Sequence, residues 1–456
     1  MNSKSAFTWE DAKQVADQAL FNKMGVYLSD VEIEVLKGAW EGLTYEKMAE
    51  EMSQRRENKK FYSVDYLRGD VGYKLFRQKL SLVLGEEISK TNFKGALERE
   101  WHKRQQLSVF TPVTSTIKEE LIFPEGSVPL NSPLYLERNR VESLCYEAIA
   151  KSASLIRIKA PKLMGKTSLV TRILAQGESL HYRLTYLDLS SVERGIINNL
   201  DKFLRWFCLM TTRQLNLKNR VDEYWDKEIL GSNDNCTVYF EEYLLSEIES
   251  PLILALDDVD RIFPYPDVAE DCLGMLRSWH EKGKISSTWK QLRLVMAYST
   301  ECYIPLDMNQ SPFNAGIPIE LGEFDYQQVK QLAHLHKLKW KNSQLQALIE
   351  MVGGHPYLLR LAFYHISSGQ LTLEQLLQEA STEAGIYSNH LRRNLEALQT
   401  VPDLIQAFKK VVTSSEPVKL DSIHIYQLHS MGLIEQKYNQ VMPRCHLYRD
   451  YFYRVL

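Results

Sequence analysis

The residues whose spacing carries the most chemistry run Ala160-Pro161-Lys162-Leu163-Met164-Gly165-Lys166-Thr167-Ser168. A G-x-x-x-x-G-K-[ST] turn between a strand and a helix is a phosphate cradle. Gly165 lets backbone N–H groups turn inward, Lys166 places a point charge on terminal phosphates, and the Thr167 hydroxyl suits Mg2+. Pro161, Lys162, Met164 and Ser168 complete the loop and the helix start, whose N–H groups add donors. Ala160 holds the first glycine position, which works only where the backbone angles do not demand glycine. Stripped of context, the same residues also read as a chance Gly-Lys-Thr at a helix start.

Context comes about 90 residues later, at Leu252-Ile-Leu-Ala-Leu256-Asp257-Asp258. An apolar run ending in an acid describes a buried strand whose terminal carboxylate emerges at the sheet edge. Asp257 would hold Mg2+ there, directly or through water. Asp258 stands where a carboxylate would orient an attacking water. Alone, the run equally describes a strand ended by a capping Asp. A third apolar run, Leu294–Tyr298, ends in Ser299-Thr300; either hydroxyl would sense a terminal phosphate, or cap a turn.

These groups need a sheet to align them. Five short Ile/Val/Leu-rich runs serve: 154–160, 182–189, 251–257, 292–299 and 316–321. Their alternation with helical patterns predicts a parallel α/β sheet buried on both faces. Residues 1–107 read as helices only, and the pattern is helical again from Glu323. Pro112, Pro124, Pro129 and Pro133 fall within a polar stretch that opposes helix, so 108–132 is expected to be a linker.

The frame is ordinary for a globular chain: 456 residues, 44% hydrophobic and 25% charged, with net charge -3. That excludes disorder as the main state and gives no global basic excess. Apolar runs fall far short of the ~20 residues of a membrane span, and the polar N-terminus is no secretory signal. The six cysteines lack C-x-x-C spacing, which predicts reduced, buried thiols in a cytoplasmic protein. Trp206, Trp225, Trp279 and Trp289 belong to core or interface, core being the simpler reading.

The N-terminal stretch carries a second pattern. Ser29 caps one helix, Thr44 another, and a third starts after Ser63 and runs from Val64 to Leu75, which together read as a helix-turn-helix. Arg55, Arg56, Lys59 and Lys60 lie between the second and third helices, in an insertion longer than the usual turn. With Arg68 and Lys74 they are the candidate DNA-binding residues. Residues 53–79 hold eight basic against three acidic side chains, but 1–106 hold 18 against 17. DNA binding, protein docking and a structural cap all remain open for this domain.

With these elements in place, the chain resembles the STAND group of signal-transduction P-loop ATPases. More closely, it is similar to bacterial AAA-like domain proteins with an N-terminal helix-turn-helix of the vWA-MoxR-associated type. The resemblance rests on Leu134-Tyr-Leu-Glu-Arg138, IRIKAPKLMGKTSL, LDDVDRIFPYPDVAEDCLGMLRSWHE, YIPLDMNQSPFNAGIPIEL, Gly353-Gly-His-Pro356-Tyr-Leu-Leu-Arg-Leu-Ala and the run from Thr8 to Met52. It implies an all-α helix-turn-helix domain (1–107), an α/β P-loop NTPase core of ASCE/AAA-like type (133–321), a helical lid (322–399) and a C-terminal winged helix (400–456). It further implies that Tyr135, Glu137 and Arg138 flank the nucleotide base, that His355-Pro356 belong to a lid element contacting adenine, and that ATP and Mg2+ are the cofactors.

Two departures bear on function. Alanine replaces the first P-loop glycine, and Asp258 replaces a longer Glu, which predicts slow turnover because a water-orienting carboxylate must reach within about 3 Å. Arg261, Arg277, Arg392 and Arg393 are candidates for stabilising transition-state charge, and an arginine supplied by a neighbouring subunit would require self-assembly. The leading expectation is an ATP-dependent switch with a protein partner or self-assembly. The alternatives are an ATP-regulated protein acting on duplex DNA and a non-catalytic nucleotide-binding scaffold. Membrane transport and kinase activity have no support in the sequence.

Overall fold

The computed structural model describes residues 7–24, 28–54, 62–109, 122–138, 140–226, 228–299 and 314–456. The chain divides into two compact units, Met1–Lys118 and Glu119–Leu456.

The first unit is helical. Helices α1 (Trp9–Met24), α2 (Asp30–Trp40), α3 (Tyr45–Gln54) and α4 (Phe93–Val109) share a core that includes Leu20, Leu36, Leu67, Leu75 and Phe93. Ser29 and Glu32 form a reciprocal capping box at the start of α2, which satisfies N–H groups the first turn leaves unpaired. Thr44 Oγ1 accepts the Lys47 N–H at 3.4 Å. The third sequence-predicted helix departs from expectation. Tyr66–Gly72 and Lys74–Leu80 take the wider π form, and Ser81–Leu84 continues as α-helix. Gly72 makes this packing feasible, because a Cβ there would lie 2.4 Å from Tyr45 Oη of α3.

The second unit is built on five parallel strands: β1 (Leu155–Lys159), β2 (Arg183–Asp188), β3 (Leu252–Asp257), β4 (Leu292–Tyr298) and β5 (Ile317–Glu320). Their order is β2-β3-β4-β1-β5. Successive residues feed opposite faces. Leu252, Leu254, Leu292 and Leu294 join one apolar cluster, whereas Ile253, Ala255, Val295 and Ala297 join the other. Such two-faced burial is what near-continuous apolar strands require. Helices α5 (Val141–Ala150) and α6 (Lys166–Ser179) pack on the second face. Helices α7 (Leu200–Gln214), α8 (Ser232–Val238) and α9 (Pro266–Lys282) cover the first.

The helical region that follows contains α10 (Tyr326–Leu335), α11 (Asn342–Val352), α12 (Pro356–Ser367), α13 (Leu373–Glu379) and α14 (Ser388–Gln399). It runs into α15 (Pro402–Thr413), α16 (Ser422–Ser430), the hairpin β6 (Ile434–Lys437) and β7 (Gln440–Pro443), and α17 (His446–Val455). A bridge from Val418 to Val441 adds a third extended segment to the hairpin. All of this shares a single apolar cluster, from Val329 and Leu348 through Phe363 to Phe408, Leu428 and Phe452. The boundary expected at residue 400 therefore crosses a continuous core.

The expected linker also differs. Helix α4 continues through Val109, and residues 122–132 are laid on the second unit. Arg172 of α6 donates to Val128 O and Pro129 O at 3.1 and 3.0 Å, and Phe123 meets Tyr364 of α12 edge-on at 5.1 Å. Proline prevents helix here, but it does not prevent docking through carbonyls.

Among the tryptophans, Trp225, Trp279 and Trp289 are buried and Trp206 packs beside them in one cluster. Trp279 lies 4.5 Å from Phe240 and 5.1 Å from Trp289, centroid to centroid, and its indole N–H donates to Thr237 Oγ1 at 2.9 Å. Trp279→Ala removes that packing and should cost about 3–5 kcal/mol in urea unfolding of the full chain. A loss under about 1 kcal/mol would show that the cluster is not what holds this face.

Candidate phosphate-binding site

The strand order places β4 between β1 and β3, so the segments following the three strands meet at one sheet edge. Lys166 opens α6 and is 6% exposed. Its Nζ donates to Ala160 O and Pro161 O, both at 3.1 Å, and to Ser299 Oγ at 2.8 Å. These three bonds use the three donors of an ammonium. Ser299, the first residue after β4, donates its own N–H to Asp260 Oδ1 at 2.6 Å. Gly165 has φ +96°, a left-handed conformation that glycine adopts freely. Ala160 is fully buried and its angles are not left-handed, which explains why alanine suffices there. Thr167 is half-buried in the first turn of α6, and Lys162 is exposed.

Acidic groups collect beside the lysine. Asp257 ends β3 and is 2% exposed. Its Oδ2 accepts the Tyr186 hydroxyl at 3.0 Å and its Oδ1 accepts the Asp258 N–H at 3.0 Å. The register sets Asp188 opposite Asp257. Burial, and secondarily the Asp257 carboxylate, push the Tyr186 hydroxyl far above its ordinary pKa, so it remains a donor. Asp258 has φ +50°. Burial first, then Asp257 and Asp260, push its carboxyl up to about 6, with Lys166 opposing. Burial likewise raises Asp260. The set fits a divalent cation of the Mg2+ kind. Among the described residues no cluster of three or more His, Cys, Asp or Glu could cage a metal, whereas Mg2+ at phosphate sites uses one or two protein oxygens and the phosphates themselves. Thr167 and Asp257 would provide those oxygens.

Four residues expected at the nucleotide have structural partners. Ser168 Oγ accepts the Val128 N–H at 2.8 Å, so its hydroxyl anchors the segment before the sheet. Tyr135 lies under Arg172, 3.3 Å from ring centroid to guanidinium carbon, and its hydroxyl donates to Glu142 Oε1 at 2.6 Å. Arg138 is 7% exposed. It donates from Nη2 to Met164 O at 2.7 Å and from Nε to Gly322 O at 3.3 Å. His355 caps α12 with Nδ1 accepting the Leu358 N–H at 3.5 Å, and Pro356 is the first residue of that helix. Burial, with His390 and Arg444 nearby, holds the His355 imidazole well below its ordinary pKa.

The C-terminal segment reaches the loop. A Cβ built on Gly432 would lie 3.0 Å from Pro161 Cγ. Arg444 Nε pairs with Glu323 Oε1 at 2.7 Å, and Glu323 Oε2 accepts the Gly354 N–H at 3.1 Å. A cavity of about 110 Å3 remains between them, lined by Lys159, Pro161, Glu320, His429, Ser430 and Arg444. Sequence reasoning did not find Tyr186, Asp260, Glu323 or Arg444. Asp260 alone had a signal, as the third acid in Leu-Asp-Asp-Val-Asp.

Thr300 and the candidate DNA-binding residues Arg55, Arg56, Lys59 and Lys60 lie outside the described residues. Arg68 pairs with Glu46 at 2.7 Å and Lys74 with Asp70 at 3.3 Å, both at the surface. Arg392 pairs with Glu383 at 3.0 Å; Arg261 and Arg393 are exposed, and Arg277 is half-buried. The described cysteines are free and buried, and no described helix is long and apolar enough to cross a membrane.

A parallel sheet with a Gly-Lys-Thr turn after β1 and paired acids after β3, the intervening strand between them, defines a P-loop ATPase fold of AAA-like type. Residues 123–454 match the AAA-like domain family, and residues 7–100 match the N-terminal helix-turn-helix of vWA-MoxR-associated proteins. The chain belongs to the AAA-like domain family. Among solved structures, the Walker-type ATPase PABY2304 of Pyrococcus abyssi is similar at TM-score 0.51 and 12% identity, over 70% of this chain and 96% of that one. The Aeropyrum pernix ORC2 protein, solved as ADPNP–ADP complexes, aligns at TM-score 0.45 and 16% identity, over 74% and 96%. AMPPCP-bound DnaA from Aquifex aeolicus aligns at 0.33 and 12%, over 66% and 81%. No curated protein matches the chain.

The raised Asp258 pKa has a sign that can be measured. The folded protein keeps a proton that the unfolded chain, with an ordinary value of 3.8, releases. Stability contributed by this group is therefore lost as pH rises from about 4 to about 6. Asp258→Asn removes that loss. The nucleotide-free variant should melt above the parent at pH 7, and the gap should close below about pH 4. A pH-independent gap would place its origin in the left-handed backbone instead, where Asn is also comfortable.

Proposed function

We propose that the chain is an ATP-binding, slowly hydrolysing molecular switch of the STAND type. Its nucleotide state is coupled through a helical lid and a C-terminal winged helix to the helix-turn-helix domain, acting as effector or adaptor in signalling, transcription regulation or conflict response. The observation that carries this reading is the seating of Gly432 against Pro161 of the P-loop, beside the Arg444–Glu323 pair. The order α15, α16, hairpin, α17 supports the winged-helix reading. The cavity left at this junction, about 110 Å3, is well below the ~300 Å3 at which small-molecule sites begin. Phosphates reaching the P-loop from this side would displace the winged helix.

The chemistry follows from the residues. Lys166 exchanges its two carbonyl partners for phosphate oxygens. Ser299 keeps a hydrogen bond to the lysine and reads the terminal phosphate. Thr167 and Asp257 would hold Mg2+, which would neutralise phosphate charge. Asp258 orients water. Its carboxyl is ionised above about pH 6, but its arm is one methylene short of a glutamate, so turnover is slow. Arg261, Arg277, Arg392 and Arg393 are the candidates for transition-state charge.

The test is MgATP affinity and turnover of the full chain beside Lys166→Ala and Asp258→Asn, with and without duplex DNA. Lys166→Ala should lose binding, and Asp258→Asn should bind ATP while turnover falls by about 10²–10⁴-fold. Equal binding by the parent and Lys166→Ala would sink the site. Unchanged turnover in Asp258→Asn would remove its catalytic role and leave a nucleotide-binding scaffold. DNA-stimulated turnover would move the conclusion to an ATP-regulated DNA-binding protein.

A further inference from the structure

The P-loop is held through its carbonyls by two cations of different character. Lys166 binds Ala160 O and Pro161 O, partners it can exchange because its stem is flexible. Arg138 binds Met164 O at 2.7 Å and has no comparable freedom. Its Nε reaches Gly322 O, its guanidinium carbon sits 5.0 Å from the centroid of the Phe324 ring, and its own backbone N–H donates to Glu142 Oε2 at 2.9 Å. The planar fork is thus fixed at both ends.

The bond to Met164 O has a geometric consequence. In a trans peptide the C=O and N–H point in opposite directions. Holding Met164 O at Arg138 therefore aims the Gly165 N–H away from the guanidinium. Gly165 is the N-cap of α6 with φ +96°, and nothing in the glycine itself would keep that peptide from flipping. A Cβ on Gly165 would lie 3.4 Å from Arg138 Nη2, so the arginine also occupies the side where a larger residue would sit. The N–H of this peptide is the donor a phosphate needs at the start of the helix.

We infer that Arg138 is a positioning residue: it orients the 164–165 peptide so that the Gly165 N–H faces the phosphates, and it ties that peptide to the entry of the lid at Gly322. This rests on the nucleotide-binding reading above, and it differs from the base-flanking role that resemblance alone implies for Arg138. The contact is with the loop carbonyl, so its effect falls on phosphate affinity.

The experiment measures MgATP, MgADP and adenosine binding to the full-length parent, Arg138→Ala, Arg138→Lys and Lys166→Ala, together with the thermal midpoint of each without nucleotide. Arg138→Ala should weaken ATP and ADP alike by about ten- to a hundred-fold, and leave any adenosine binding unchanged. Methylguanidinium added to Arg138→Ala should restore ATP affinity, but should not rescue Lys166→Ala. Arg138→Lys keeps the charge without a fork that spans two carbonyls; its midpoint should stay near that of the parent while its ATP affinity remains reduced. Parental ATP affinity in Arg138→Ala overturns the inference, as does a drop that methylguanidinium leaves untouched. If Arg138→Ala does not fold, parental affinity in Arg138→Lys overturns it equally. A parent that binds no nucleotide at all refutes the site reading, an outcome distinct from a parent that binds beside an unaffected Arg138 variant.

Discussion

Lys166 is a buried cation whose three hydrogens go to atoms from separate strand ends, Ala160 O and Pro161 O after β1 and Ser299 Oγ after β4. Few positions in a protein accommodate such a group, because a desolvated ammonium needs every donor satisfied and a negative field close by. Here the sheet supplies both. Parallel pairing of β1 with β4 in the register Lys159 to Tyr298 carries Ser299 level with the loop. Pairing of β3 with β4 then brings Asp257, Asp258 and Asp260 to the same edge. If the strand order or the register changed by one step, the lysine would lose its serine and the acids their counter-charge.

The acids outnumber the cation. Asp257 is stabilised by two hydrogen bonds, from Tyr186 and from the Asp258 N–H, and Asp260 by one from Ser299. Asp258 has the weakest support, sits in a left-handed conformation and takes the upward shift in pKa. Like charges brought together in a partly dry site cannot all remain ionised at their ordinary values. The upward shift is shared by Asp258 and Asp260, and two hydrogen bonds fix the orientation of the Asp257 carboxylate. A carboxyl pushed up to about 6 would suit the water-orienting role proposed for Asp258, which calls for a pKa close to working pH.

Much of this was legible in the sequence because the chemistry is local there. The five strands, the turn before α6 and the acids after β3 are contiguous runs with their own periodicity, and the structure moves their ends by one residue or so. The capping roles of Ser29 and Thr44 were equally local. What escaped depends on long-range pairing. Nothing near Tyr186 announces that its hydroxyl will meet Asp257, since they become neighbours only through the β2–β3 ladder. Glu323 and Arg444 are far apart in the chain and join only because the helices after β5 and the C-terminal segment share one core. The π form of Tyr66–Leu80 escaped because helical periodicity does not distinguish hydrogen-bond spacing over so short a run. The docked segment 122–132 escaped because its prolines say where helix ends, not where carbonyls find donors.

The same cores show which parts of the second unit are packed together. Helices α10–α14 and the C-terminal helices and hairpin are joined by a continuous cluster of buried Leu, Val, Phe and Tyr, and separating them would expose that whole surface at about 25 cal/mol per Å2. Contacts between this region and the rest of the unit include Arg138 to Gly322, Lys159 over the Tyr426 ring at 5.0 Å, Gly432 against Pro161, Phe123 against Tyr364 and the burial of Leu136. Residue 400 lies inside this shared core. On the switch reading proposed above, a phosphate entering the P-loop would meet this region at Gly432. Arg138 bonds Met164 O of the loop on one side and Gly322 O on the other, so the proposed orientation of the phosphate turn and the connection between β5 and α10 meet at a single side chain.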